Sequence, residues 1–252
     1  MSSAQSFREF RLPFARIIDR APTIKSFVFD TRGLGFSFTA GQYLKMTLED
    51  VVGDPRGNSR DFSISSPSTE ASEQISVTTT VEPEDSPFKK KLAGLRPGDV
   101  AKVKAPFGRF VLDHAPGRNE PIVMVAGGIG ITPFRSIILT ELAENAGDSR
   151  PLTLLYSAKT PENLVFKEEF DRLSSIHRRL KVHYTVTRAV SKDPGIENGR
   201  VDSDFISKNT EPSHSVYYLA GPPSMVQELS EQIIQKLSVP RERIKTEKFT
   251  GY

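Results

Sequence analysis

The sequence predicts a two-domain protein: an N-terminal antiparallel β-barrel carrying one helix, then a C-terminal doubly wound α/β domain built on a parallel sheet. Three observations predict it. Residues 10–112 hold six short runs rich in β-branched and aromatic residues, bounded by Gly, Pro or Asp, as closely spaced antiparallel strands are. Residues 121–126, Pro-Ile-Val-Met-Val-Ala, form an unbroken apolar run, the pattern of a strand covered on both faces. Beyond it, helical and strand-like segments alternate. A chain of 252 residues has length enough for two units with separate cores. The polar stretch 113–120 reads as a linker, which places the domains at 1–116 and 117–252.

The barrel strands are expected at 10–19, 26–30, 44–48, 60–64, 75–81 and 100–105. The one helix is expected at 87–93, because Ser86 can accept a hydrogen bond from a first-turn amide and Pro87 is pre-set for the first helical position. In the second half, strands are expected at 121–126, 152–157, 181–187, 216–220 and 244–248, with helices near 133–145, 166–174 and 224–237.

Composition removes several chemistries. With no cysteine there is no disulfide, thiolate nucleophile, redox dithiol or cysteine-ligated iron–sulfur cluster. His114, His177, His183 and His214 lack metal-ligand spacing, so no metal site is expected. Electron transfer by such a chain requires an organic cofactor. Net charge is +3, and the single tight basic run, Lys89-Lys90-Lys91, is not interleaved with aromatics, so no nucleic-acid partner is expected. No apolar run is long enough to cross a bilayer, and residues 1–6 show no basic-then-apolar leader. The expectation is a soluble cytoplasmic protein with no membrane insertion.

Four stretches carry chemistry. Arg60-Asp61-Phe62-Ser63-Ile64-Ser65-Ser66 ends a strand, where alternate side chains share a face. Arg60, Phe62 and Ile64 therefore point one way and Ser63 the other. A guanidinium that forks onto a phosphate, a ring that lies flat on a cofactor and a hydroxyl donor come within a few residues. The plainer reading is an edge strand with a polar end. In Gly127-Gly128-Ile129-Gly130-Ile131-Thr132-Pro133, glycines between a buried strand and a helix let backbone amides approach a pyrophosphate, although a tight turn alone explains them too. Gly221-Pro222-Pro223-Ser224 ends another strand, where open α/β sheets bind ligands; a rigid turn with Ser224 capping the next helix is the alternative. The strand ending Tyr156-Ser157-Ala158-Lys159 offers a hydroxyl and a cation where NAD-binding chains commonly place a carboxylate, and Arg188 follows the next strand. That chemistry suits a 2′-phosphate and favours NADP(H) over NAD(H), against two solvated surface cations.

In order and spacing these motifs resemble the ferredoxin–NADP reductase family of two-domain flavoenzymes over nearly the whole chain. The family's Arg-x-Tyr/Phe-Ser-x-x-Ser is similar to 60–66, its phosphate-binding helix start to Ser86-Pro87-Phe88-Lys89, and its Pro-Phe-Gly-x-Phe turn to Pro106-Phe107-Gly108-Arg109-Phe110. The resemblance implies FAD rather than FMN, with Arg60, Ser66 and Ser86 at its phosphates, Phe62 on the isoalloxazine and Ser63 near its N5. It implies that Gly127, Gly128, Gly130, Thr132, Ser157, Lys159, Arg188, Gly221 and Pro222 bind the nicotinamide coenzyme. It also implies catalytic roles for Ser63 and Glu247, and a flavin-covering aromatic, Phe249 or Tyr252, in the tail. Ala220 stands where the family usually has cysteine. The implied activity is hydride uptake from NAD(P)H onto flavin and delivery of electrons to a separate acceptor: a ferredoxin, a flavodoxin, an oxygenase component, or free flavin or an iron chelate. The rival is a non-catalytic dinucleotide-binding redox sensor or subunit; a basic barrel binding nucleic acid has only net charge in its favour.

Overall fold

The computed structural model describes residues 7–82, 84, 86–114, 119–144 and 149–250. Alternating burial along the first half builds an antiparallel sheet. Its strands are β1 (Arg8–Ala21), β2 (Ile24–Asp30), β3 (Tyr43–Thr47), β4 (Ser59–Ser63), β5 (Gln74–Thr80) and β6 (Val100–Phe107). They pair in the order β4-β3-β6-β1-β2-β5, and β1 turns Phe10, Leu12 and Phe14 inward at period two. The outer strands approach one another where an isolated antiparallel bridge joins Ile64 to Val77, extended by the Ser65 amide donating to the Ser76 carbonyl at 2.8 Å. The sheet thus curls into a barrel. Helix α1 (Pro87–Ala93) sits as expected, with Ser86 accepting from the Lys89 amide. Its Phe88 and Leu92 are buried in the barrel core with Phe27, Phe29, Leu44 and Met46.

The second sheet is parallel. Its elements are β7 (Ile122–Gly127), α2 (Ile131–Glu144), β8 (Leu152–Ala158), α3 (Lys167–Ile176), β9 (Leu180–Val186), β10 (Ile196–Asn198), α4 (Ser203–Asn209), β11 (Val216–Gly221), α5 (Pro223–Leu237) and β12 (Ile244–Lys248). The order is β10-β9-β8-β7-β11-β12. Every residue of β7 and β8 is buried, the expected state of central strands between helical layers. Val123, Val125, Leu155, Tyr217 and Leu219 share one core with Phe205 and Ile206 of α4 and Val226, Leu229 and Ile233 of α5. Tyr184 of β9 donates its hydroxyl to the Asp171 carboxylate of α3 at 2.7 Å, which pins that helix to the sheet.

Three details depart from the expected elements. Strand β10 and helix α4 carry too few apolar residues for a periodic signal, although Asp202, which accepts from the Phe205 amide at 2.9 Å, marks the start of α4. Helix α2 begins at Ile131 because a 3₁₀ turn over Gly128–Gly130 runs straight into it. Ser224 does not cap α5: Pro222 holds that position and the helix is already under way at Pro223. The chain divides into two compact units, residues up to Leu112 with the helix from Arg135 onward, and Asp113–Phe134 with the chain beyond that helix. Within the first unit, Arg135 Nη1 donates to the Ser65 carbonyl at 2.7 Å and the Ser68 amide to Thr140 Oγ1 at 2.9 Å. No helix among the described residues is long and apolar enough to cross a membrane.

The barrel core sets the first stability expectation. Phe27 is fully buried, so Phe27→Ala should cost about 3–5 kcal/mol, read as a lower urea midpoint. Val52, 84% exposed, is the control: Val52→Ala should stay within about 0.5 kcal/mol of the parent.

Candidate cofactor sites

In the first unit the end of β4 presents Arg60 and Phe62 on one face, as strand alternation requires. Both lie against the buried ring of Phe88. The Arg60 guanidinium carbon is 5.0 Å from its centroid, and the Phe62 ring is 6.1 Å away at an interplanar angle of 30°. Phe62 is half-buried on the barrel core. Arg60 is held by its own loop: Nη1 donates to the carbonyls of Arg56, Gly57 and Ser59 at 3.1, 2.9 and 2.8 Å. Nη2 donates to Asp54 Oδ1 at 2.6 Å, while Nε is buried with no partner. Burial opposes ionisation of Asp54, but the amides of Arg56 and Phe88, the Arg60 guanidinium and the Ser86 hydroxyl outweigh it and hold the carboxyl well below the usual range.

The neighbouring hydroxyls divide their roles. Ser63, buried on the opposite face from Arg60, pairs in register with Tyr43, whose ring stacks on Phe107 at 5.6 Å and 26°. The Ser66 hydroxyl accepts from the Ser76 amide at 3.0 Å. Ser65, to which the sequence assigned no role within that stretch, links to the Thr78 hydroxyl at 2.8 Å, and Thr78 to Ser26 at 2.8 Å, a buried chain under the barrel seam.

In the second unit the site follows from strand order. Strand β7 is flanked by β8 and β11, so connections leaving its carboxyl end diverge and open a crevice there. Ala126 of β7 pairs with Ala220 of β11, which sets the Gly127 and Gly221 turns side by side. A Cβ at Gly130 would lie 2.3 Å from the Ala220 carbonyl oxygen, and one at Gly221 would lie 3.1 Å from the Gly127 backbone. The two turns touch through their backbones, and only glycine permits it. Thr132, buried, donates its hydroxyl to the Ile129 carbonyl at 3.0 Å and closes the 3₁₀ turn.

A groove of about 520 Å³ runs past Gly127, Gly128, Ser157, Lys159, Arg188, Arg200, Pro222 and Met225. The Arg188 amide donates to the Lys159 carbonyl at 2.8 Å, which clasps the loops after β8 and β9 and sets these two exposed cations together. Arg200 joins them. Sequence reading missed it because β10, which delivers it, has no pattern of its own. At the far end β12 pairs Glu247 with Ala220 and Lys248 with Gly221, and the Phe249 amide donates to the Gly221 carbonyl at 3.0 Å. Burial holds the Glu247 carboxyl above its usual range. Tyr252 lies outside the described residues.

Residues 124–231 match the family described as oxidoreductase NAD-binding domain. An NADH-cytochrome b5 reductase-like protein of Arabidopsis thaliana is 31% identical over 148 residues, 58% of this chain and 44% of that protein. A flavohemoprotein of Deinococcus radiodurans is 29% identical over 97% of this chain and 60% of its own length. The chain thus spans about half the length of these curated relatives. Among solved structures, an Amycolatopsis cytochrome P450 reductase superposes with a TM-score of 0.83 at 21% identity, over 97% of this chain and 71% of that one. A ferredoxin NADP+ reductase of Neisseria gonorrhoeae with bound FAD and NADP does so at 0.78 and 20%, over 96% and 98%. These superpositions establish the two-domain fold.

The backbone contact between the turns yields a paired test. Gly130→Ala forces the new methyl into the Ala220 carbonyl and should lower coenzyme affinity by about tenfold or more along with the melting temperature. Gly128 has φ +53° but open space around its Cα, so Gly128→Ala should cost only the left-handed backbone penalty of about 1–2 kcal/mol. Thermal melts and NAD(P)H titrations of both variants check the difference.

Proposed function

We propose that the chain is a member of the ferredoxin–NADP reductase family and works as an FAD-dependent reductase that draws hydride from NADPH and delivers electrons to a separate small carrier. The NAD-binding-domain match over residues 124–231 and the reductase and flavohemoprotein relatives support this reading. The observation that carries this reading is the groove at the switch point of the parallel sheet. There two glycine turns touch by backbone alone, and Lys159, Arg188 and Arg200 line the groove with Ser157. No carboxylate ends β8, and Asp202 and Glu228 line the groove from other elements. The amides of the Gly127–Gly130 turn and the start of α2 would supply donors to a pyrophosphate. Ser157, Lys159, Arg188 and Arg200 supply donors and charge for a 2′-phosphate.

The flavin side is supported by fit. Arg60 keeps a buried N–H without a partner, and Phe62 offers a half-buried ring beside it. When bound, a flavin takes two electrons as hydride and can release them singly. The chain's own residues then have positional work. Arg60 and Ser86 would hold phosphate, Phe62 would lie against the ring system, and Ser63 would offer a hydroxyl hydrogen bond near the reacting nitrogen. Burial raises the Glu247 carboxyl above its usual range, which favours the protonated form that a hydrogen-bond or proton donor would need. The tail aromatic Phe249 would shield the flavin from water until nicotinamide displaces it. The acceptor in this reading is a separate ferredoxin, flavodoxin or oxygenase component, or else free flavin or an iron chelate; the relatives named as cytochrome b5 reductase and flavohemoprotein are consistent with a separate acceptor.

The purified protein should be yellow, with flavin absorbance released on denaturation and identified as FAD; a colourless protein that binds no added FAD removes the reading. Lys159→Ala and Arg188→Ala should each raise KM for NADPH about tenfold, the size of one charge-assisted hydrogen bond, with KM for NADH within about twofold. Equal losses for both coenzymes, or a parent that prefers NADH, would overturn the NADP assignment.

A further inference from the structure

The Arg60 guanidinium already has an anion. Asp54 lies six residues before it in the exposed loop between β3 and β4, yet its side chain is 1% exposed and that of Arg60 12%. One carboxylate oxygen accepts from Arg60 Nη2 at 2.6 Å and from the Arg56 amide at 2.9 Å. The other accepts from the Phe88 amide at 3.0 Å. A guanidinium and backbone amides are the donors a phosphate oxygen would take, and a buried carboxylate occupies them. A phosphate brought to the same donors meets an uncompensated negative charge at close range, in surroundings where charges are weakly screened.

The loop around Asp54 is built to turn. Gly53 and Gly57 flank it at φ +75° and +72°, in open space, and Val52 is 84% exposed. The segment between these glycines, Asp54-Pro55-Arg56, carries no large apolar side chain, and swinging it outward withdraws the Arg56 carbonyl from Arg60 together with Asp54. On the reading of this site as a flavin-phosphate site, we propose that Asp54 is a built-in competitor for that phosphate: it neutralises Arg60 in the flavin-free protein and must be displaced before FAD or FMN can use the guanidinium. Arg60 then contributes less to affinity than an unpaired arginine would, and the flavin exchanges more readily than a buried arginine clamp suggests.

The test is titration of the full-length apoprotein with FAD, FMN and riboflavin, followed by flavin fluorescence and by thermal melting. Asp54→Asn keeps the side-chain shape and removes the charge. It should tighten FAD about tenfold or more, leave riboflavin, which has no phosphate, within about twofold, and lower the melting temperature of the flavin-free protein. A folded variant whose FAD affinity is unchanged or weaker makes Asp54 a structural cap, and the proposal falls while the flavin reading stands. If neither parent nor variant binds FAD, both fall. Should the variant not fold, the parent alone decides: FMN should bind less than about tenfold tighter than riboflavin, and a larger advantage overturns the proposal.

Discussion

Six antiparallel strands leave two edges, and the first unit depends on how those edges are joined. The join is small: the bridge between Ile64 and Val77 and the Ser65 amide on the Ser76 carbonyl. It consumes backbone groups that would otherwise template another chain. It also fixes the register of β4, because a one-residue slip would send Arg60 and Phe62 to the opposite face. The stretch that carries the site chemistry is therefore the stretch that closes the barrel. The buried Ser65–Thr78–Ser26 hydroxyl chain supplies partners to polar groups that closure removes from water.

The second unit solves a similar problem with backbone contact instead of a seam. A parallel sheet places the ends of β7 and β11 next to one another, and any side chain at Gly130 would collide with the Ala220 carbonyl. Glycine there is a requirement of packing before it is a requirement of ligand binding. Once the turns are in contact, their amides sit at the crevice that strand order opens, so packing and ligand geometry have one cause.

The charges of the two sites differ because their burial differs. Arg60 is nearly enclosed, and an enclosed cation without a counter-charge is costly; its loop answers with Asp54 and three carbonyls. Lys159, Arg188 and Arg200 are exposed, where water screens them and pairing contributes little. They can line a groove without internal partners. On the proposed reading, a ligand phosphate would meet hydrated cations in the second unit and an occupied guanidinium in the first.

The sequence by itself determined the fold class, because hydrophobic period separates alternating antiparallel strands from the continuous runs of a parallel sheet. It placed α1 through Ser86 and Pro87, and it named Arg60, Phe62, Gly127, Gly130 and Lys159 as residues of interest, because their chemistry is local to a strand end or a turn. Tertiary structure decided what depends on distance in space. The occupation of Arg60 by Asp54 turns on a loop whose composition announces only a turn. Arg200 reaches the groove on a three-residue strand that owes its existence to a neighbour. Part of α2 groups with the barrel unit although the chain changes pattern before it. In each case a long-range contact, with no period or propensity of its own, sets the outcome.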